Sequence, residues 1–585
     1  MSDAPTKTTH SKKRKKGRLY IAFLVVALLG GCLPILLSSN FTHEFSIIGS
    51  DFNLPYLHAG GSNVNAKEED AQNVKEDSPK DSTKKEKEKR SSRVAGLDCK
   101  PWGGPPNEAA AEMVYWEDIP QDSSHLSPFY NPEAPPQFFS FEMDFAGWNN
   151  VRMSMETLMG IALAMGRTLV MPPAQEVHML ESSDENQKNE FSFSHFFPIE
   201  HVNEEFDHFA IISMHEYLQL FLEGKFEDKH GKILFPPGNR THWDGAKEED
   251  IAVLNTWLRD VSMRLRWKAN RCLGAFPKSP DPEDLHQLTV DLENLTKTGL
   301  PEERDLINKK PYDVDGDSRE RMRHHIAKRE RLCLYSTKLQ KAQRVHFPMM
   351  WDEEFGKSRM LIHFYEFLFF QDWKQDLWIK RFMRDHIRYV DEIQCAAARV
   401  VHKIRGHVHA RTGGKTREFD TFHIRRGDFQ DQYKSAVVSA EDLLKIAKTQ
   451  IPENSTVYIA TDEEDDDYFK LLETHYNVLY LDDFKHELAG VNSNYMGMID
   501  QLIASRGRVF MGCFYSTFTG YINRLRGYHA DAAKAHDYER GIINSYYYAP
   551  DFVHLRMRMY FPIWEPYWAR EYSNSWRQID KGIDP

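Results

Sequence analysis

Two adjacent arginines, Arg425 and Arg426, stand in "FDTFHIRRGDFQ" (residues 419–430), with His423 two positions before the pair and Asp428 two after it. Phe419, Phe422 and Ile424 make the segment read as a strand that ends on basic groups. Two further strand-like stretches also end on polar residues. Thr461 and Asp462 close "YIATDE", and Tyr515, Ser516, Thr517 and Phe518 follow "RVFMGC" and open a helical stretch. Hydroxyls and backbone N–H groups at a helix N-terminus form an anion site. An arginine fork beside them can grip a phosphate through two hydrogen bonds. An aspartate at a neighbouring strand end can accept from a base or a ribose. Together these groups describe a site for a nucleoside diphosphate. No Walker-type or GxGxxG loop accompanies them, which argues against an ATPase or a dehydrogenase.

Each group taken alone has a plainer alternative. Without the other motifs, Arg425 and Arg426 read as surface ion pairs, His423 as a satisfied buried histidine, and Asn149 and Asn150 as turn formers. "DEEDDD" (462–467) invites a metal-binding reading but suits the acidic first turn of a helix, with Asp462 alone in the site. "DVDGDSRE" (313–320) has the look of a calcium loop, yet the closing glutamate position falls on His324. No metal is expected.

The elements that must position these residues alternate. Residues 135–173 read as a strand in "QFFSFEM", a loop in "DFAGWNN", a helix with Val151, Met155, Leu158, Met159, Ala162 and Met165 at helical spacing, and a strand in "RTLVMPP". Residues 180–345 are polar and read as insertions or surface helices. "SRMLIHFYEFLFFQD" suggests a strand and a turn, and 376–404 one long amphipathic helix. From 416 on, strands alternate with helices four times; one of these helices, over "SAEDLLKIAKTQI", carries Ser439 as N-cap. That pattern predicts a doubly wound parallel sheet, in which ligands bind beyond the carboxyl ends of the strands.

The chain has 585 residues and a net charge of −12, so several lobes are expected and a nucleic-acid partner is not. "KKRKKGR" precedes an uncharged apolar run over residues 19–39, about long enough to cross a bilayer. The basic flank predicts a cytosolic tail (1–18), a single-pass signal-anchor (19–39) and a lumenal remainder, as in a type II membrane protein of the ER or Golgi; a cleaved signal peptide is the alternative. Residues 64–93 are dense in Lys, Glu, Asp and Ser, so 40–110 reads as a disordered stem. Asn239, Asn294 and Asn454 begin N-glycan acceptor triplets. Outside the span lie Cys99, Cys272, Cys333, Cys395 and Cys513, an odd number that leaves at least one thiol unpaired within the chain. Cys272–Cys333 is the first expected bridge, and Cys513 a packing residue.

"HIRRGD", "YIATDE", "DQLIASRGRVFMGCFYSTFTGYINRLRG" and, earlier, "GWNNVRMSMETLMGIALAMGRTLVMPP" resemble, in this order, the motifs of the GDP-fucose protein O-fucosyltransferase family. The resemblance implies a GT-B fold: two Rossmann-like lobes facing a cleft, here 111–400 and 401–585, with inversion at the sugar carbon and no metal or other cofactor. It implies that Arg425 binds the β-phosphate and stabilises departing GDP, that His423 and Asp462 lie near the guanosine, and that Ser516, Thr517 and Phe518 contact the diphosphate or base. Gly147, Asn149 and Asn150 would face the reacting centre from the other lobe, while Arg426 and Asp428 would form an internal ion pair. Some relatives carry a glutamate base just before the glycine–asparagine loop. That position is Ala146 here, which leaves Asp144, a substrate-assisted route or a different acceptor as alternatives. The expected partners are GDP-fucose and a protein or glycan acceptor. The competing readings are another donor on the same fold, such as UDP-rhamnose, and a non-catalytic lumenal binding module.

Overall fold

A computed structural model describes residues 96–583 apart from 179, 181–189, 221–235, 237, 239, 301–312, 328, 350, 353–355, 358, 550–551, 557–568 and 570. The expected tail, membrane span and most of the stem lie outside the described residues, as does Asn239. Among the described residues, no helix is long and apolar enough to cross a membrane. The stem ends earlier than expected. Cys99 is fully buried in a disulfide to Cys395, and the short helix Asn107–Ala111 buries Ala110.

The N-terminal half is built on a parallel sheet. Its strands are β1 (Phe138–Phe141), β2 (Thr168–Val170), β3 (Ile211–Ile212), β4 (Met263–Arg264) and β7 (Arg344–Phe347), ordered β3-β2-β1-β7-β4. Phe139 pairs with both Leu169 and Val345 in register. A second parallel sheet, in the order β8-β5-β6, is made by β5 (Cys272–Phe276), β6 (Arg331–Leu334) and β8 (Leu368–Phe370). The expectation for 180–345 is therefore corrected: these residues supply strands to both sheets, and β5 is buried throughout. Strands of two residues carry no alternation to read, and the polar helices Pro282–Thr298 and Ser318–Ile326 mask the rest. The expected bridge between β5 and β6, Cys272–Cys333, is present.

Helix α1 (Trp148–Ala164) joins β1 to β2 as predicted, but it is buried on all sides. Its polar residues Arg152 and Glu156 are inside as well, in a chain of ion pairs that continues to Arg524 and Glu571. The long helix expected over 376–404 is two helices, α2 (Trp373–His386) and α3 (Asp391–Arg411), separated by Ile387–Val390. Before them, Phe364–Phe367 forms a short helix ahead of β8, where a strand and turn were expected. The boundary expected at 400 falls within α3, which packs against α5 (Met496–Ser505) of the C-terminal half.

The C-terminal half carries β9 (Asp420–Ile424), β10 (Thr456–Thr461), β11 (Asn477–Leu479), β12 (Phe510–Cys513), β13 (Ser545–Ala549) and β14 (Phe552–Arg556). Their order is β11-β10-β9-β12-β13-β14, parallel except for the last pair. This is the doubly wound arrangement predicted from the alternation, with an antiparallel edge strand added. Helix α4 (Ala440–Lys448) is capped by Ser439 as expected, its hydroxyl accepting from the Asp442 N–H. Helix α6 (Thr517–Ala532) follows β12. The strand order reverses between β9 and β12, and a crevice opens at such a switch point beyond the carboxyl ends of the strands.

The aromatic tail (545–568) is expected to pack across lobes, but its described part packs into the C-terminal sheet. Tyr546, Tyr547 and Tyr548 are buried in β13, and the Tyr547 hydroxyl accepts from the Glu571 N–H. Beyond the undescribed 557–568, the Tyr572 N–H donates to the Tyr365 hydroxyl, and Arg381 donates to the Ile579 carbonyl. The calcium-like loop is tied to the same tail. Asp313 accepts from Gln578, Asp315 pairs with Lys581, and Asp317 caps Ser318–Ile326.

Candidate active site

A cavity of about 600 Å³ opens at the switch point, lined from one side by Gly147, Asn149 and Asn150 and from the other by His423, Arg425, Asp462 and Ser516–Phe518. All nine residues singled out from the sequence therefore line one space. Chain alternation brings three strand ends together there, and the N-terminus of α1 closes the space from the other half.

Arg425 sits just past β9 with its side chain about one-fifth exposed. Its Nη1 donates to Asp462 Oδ2 at 2.5 Å and its Nη2 to Asp428 Oδ1 at 3.0 Å. Asp462 also accepts from the Arg426 N–H through Oδ1 at 2.7 Å. The aspartate expected near the guanosine thus serves, in this structure, to hold the arginine at the strand tip. The expected Arg426–Asp428 pair is not formed. Arg426 turns to the other face, pairs with Glu463 and lies 3.8 Å over the Tyr468 ring. Successive side chains in extended backbone point to opposite faces, so only one arginine of an adjacent pair can face the crevice. Gly427 completes this corner at φ +27°, where an added Cβ would lie 2.6 Å from Asp462 Oδ2. Past Glu463, the acidic run makes local contacts: Asp465 caps the next turn and Asp467 pairs with Lys470.

Helix α6 offers its N-terminus to the same space. Ser516 occupies the cap position, is buried, and makes no side-chain capping bond, so the first-turn amides stay open to a ligand. His423 is 4% exposed, and its Nδ1 shares a 2.6 Å hydrogen bond with Thr519 Oγ1. Its ring stacks on Phe518 with centroids 4.4 Å apart. Burial, and secondarily the Arg425 charge, push its pKa down to about 3, so the imidazole is neutral across the physiological range. Gly512 permits this contact, since a Cβ there would meet Thr519 Cγ2 at 2.4 Å.

From the opposite wall, Asn149 Oδ1 accepts from Gln501 Nε2 at 2.7 Å, and Gln501 Oε1 accepts from Tyr389. Asn150 Oδ1 is buried without a hydrogen-bond partner among the described residues. Asp144 is not free to act as a base. Both its oxygens accept from Arg359, at 2.7 and 2.8 Å, and Oδ1 also caps the Ala146 N–H.

Arg359, Gln501 and Asp500 are among the cavity residues absent from the sequence-derived set. Arg359 reaches it from a segment more than 200 residues after Asp144 and has no local signal. Gln501 and Asp500 form a polar pair inside the otherwise apolar stretch "YMGMIDQLIAS", and that interruption is the signal that could have found them. The carboxyl of Asp500 faces the crevice and accepts from the Tyr458 hydroxyl, and burial pushes its pKa up to about 7.

Residues 143–529 match the family model for GDP-fucose protein O-fucosyltransferase. No curated protein matches the chain in sequence. Among solved structures, the α-1,6-fucosyltransferase NodZ co-crystallised with GDP is 12% identical, covering 67% of this chain and 93% of its own, at a TM-score of 0.29. POFUT1 in its apo form is 11% identical, covering 72% and 99%, at 0.31. A mutant of Arabidopsis thaliana FUT1 bound to GDP is 9% identical, covering 75% of each chain, at 0.31. Superposition scores this low leave the family match, which spans the crevice residues from both halves, as the basis of assignment. The chain belongs to the GDP-fucose protein O-fucosyltransferase family and is a fucosyltransferase that uses GDP-fucose as donor.

Proposed function

We propose that the protein is an inverting, metal-independent enzyme of GT-B architecture that transfers fucose to a hydroxyl of a protein or glycan acceptor in the secretory pathway. The observation that carries the residue assignment is the placement of Arg425 and the uncapped N-terminus of α6 on one crevice. The diphosphate lies between them. Arg425 takes the β-phosphate, exchanging its exposed partner Asp428 for it while Asp462 keeps the guanidinium in place. Ser516 and the amides of Thr517 and Phe518 take the remaining oxygens. As the bond from fucose C1 to the β-phosphate oxygen breaks, negative charge grows on GDP, and a fixed guanidinium stabilises that charge most in the transition state. The acceptor oxygen forms the new bond from the opposite face, next to Asn149 and Asn150, and its proton passes through solvent to the departing diphosphate. With Asp144 engaged by Arg359, a route without a carboxylate base at that position is favoured.

Asp500 supports guanine over uracil. One carboxylate matches the adjacent N1–H and N2–H donors of guanine, whereas uracil offers a single N3–H. The two disulfides and the exposed Asn454 support an oxidising lumen, and the apolar run at 19–39 supports anchorage there by a single span. Calorimetric titration of the purified protein with GDP and with UDP tests the donor; tighter binding of UDP sinks the assignment. Failure to release GDP from GDP-fucose under any acceptor would favour a binding module.

A further inference from the structure

The wall of the crevice across from Arg425 rests on a chain of hydrogen bonds whose direction is fixed at both ends. Trp148 opens α1, and its indole nitrogen donates to the Tyr389 hydroxyl at 3.3 Å. Tyr389 lies between α2 and α3 and donates in turn to Gln501 Oε1 at 2.8 Å. Gln501, on α5, donates through Nε2 to Asn149 Oδ1 at 2.7 Å. The same nitrogen donates to the carbonyl of Phe518, in the first turn of α6, at 3.4 Å. Tyr389 and Gln501 are fully buried, so bulk water does not replace a lost partner.

An indole N–H can only donate, and a backbone carbonyl can only accept. The Tyr389 oxygen accepts from the indole, which leaves its one proton for Gln501. Turning the Gln501 carboxamide over would set Oε1 against the Phe518 carbonyl, oxygen against oxygen. It would also leave the Tyr389 proton without its acceptor, a costly loss in a buried site. Packed rings hold the chain in place. Tyr389 stacks on Phe197 with centroids 5.6 Å apart and makes a T-shaped contact with Tyr521 at 5.8 Å. The Trp148 ring lies 4.0 Å from that of Phe196.

The consequence falls on Asn149, which is half-buried and lines the crevice. Its carbonyl oxygen is taken from behind by Gln501, so Nδ2 is the end of the carboxamide left to the crevice. An N–H donor cannot take the proton of the attacking hydroxyl, and donating to that oxygen would draw on the lone pair needed for attack. A sugar oxygen is its matched partner. Arg425 and the N-terminus of α6 hold the diphosphate from the far side, which leaves the sugar to this wall.

We propose that Tyr389 and Gln501 are positioning residues for fucosyl transfer. They fix the Asn149 carboxamide so that its N–H group, and not its carbonyl, meets an oxygen of the fucose ring or one of its hydroxyls, and so aligns C1 with the acceptor. This rests on the reading that places Asn149 beside the reacting centre. The contact is to the sugar, so the relay acts on turnover of GDP-fucose and leaves GDP binding alone.

The test is a double-mutant cycle on the full chain, read as GDP released at saturating GDP-fucose, with GDP affinity measured by calorimetry. Tyr389→Phe keeps the ring and removes the hydroxyl. It should lower turnover by about threefold to tenfold, the scale of one hydrogen bond, with GDP affinity within about twofold of wild type. In an Asn149→Ala background the same substitution should change turnover by less than about twofold, because it acts only through Asn149. Should Tyr389→Phe fail to bind GDP, Gln501→Met takes its place in the cycle under the same criteria. Wild-type turnover by the folded relay variant, or an equal fall in the Asn149→Ala background, overturns the relay alone. Wild-type turnover by Asn149→Ala itself removes the placement of Asn149 at the reacting centre, and the relay with it.

Discussion

Replacing Arg425 with alanine separates catalysis from stability. The side chain is 22% exposed, and its partners Asp428 and Asp462 are 68% and 25% exposed. Ion pairs in that setting are each worth about 0–1 kcal/mol. Asp462 keeps its bond from the Arg426 N–H after the substitution, so no buried charge is orphaned. The folded state should therefore lose about 1 kcal/mol or less. The effect on the reaction is larger. A guanidinium about 4 Å from a phosphate oxygen interacts by roughly 4 kcal/mol at an effective dielectric near 20. Loss of one fixed donor to a developing oxyanion costs about 3–4 kcal/mol in comparable sites. Arg425→Ala should thus reduce release of GDP from GDP-fucose by about 10²–10³-fold. Urea unfolding and steady-state assay of released GDP measure the two quantities on the same preparation. Turnover within threefold of wild type, in a protein of normal stability, would show that position 425 is not where the leaving group is stabilised.

Asp500→Asn should weaken GDP binding by about tenfold or more while leaving UDP binding nearly unchanged, because one of two charge-assisted bonds and the charge itself are lost. The same carboxyl makes GDP affinity pH-dependent. Its pKa of about 7 in the free protein falls when guanine donors favour the ionised form, so affinity should rise between pH 6 and 8 with release of a proton, seen as buffer-dependent heats. Arg524→Met removes the centre of the buried chain between Glu156 and Glu571 and should cost about 3–5 kcal/mol in chemical denaturation. Gly527→Ala places a Cβ 2.0 Å from the indole nitrogen of fully buried Trp576 and should cost about 1–3 kcal/mol. Gly406→Ala on the exposed face of α3, with nothing within 4 Å, should instead gain about 0.5–1 kcal/mol.

What could be read from the chain was local or ordered along it. The alternation of strands and helices after 416 predicted the parallel sheet, and the positions of the polar strand ends predicted which residues meet at its carboxyl edge. Periodicity reports which positions are apolar, and topology rules then place the strand tips side by side. The sequence also located the Ser439 cap, since a side-chain-to-amide bond spans three residues and needs no distant partner.

Tertiary structure decided everything that depends on partners remote in sequence. Which arginine of the pair faces the crevice was set by strand pleat and by Asp462, not by residue type. Asp144 looked available until Arg359 arrived from a distant segment to occupy both its oxygens. The two-residue strands β3 and β4 hidden in 180–345 are too short to carry a pattern and gain their identity only by pairing with neighbours. Cys99 meets Cys395 across 296 residues, which spacing alone does not disclose. The physical reason is common to all four: a contact energy depends on distance in space, and chain proximity is only one of several ways to bring two groups together.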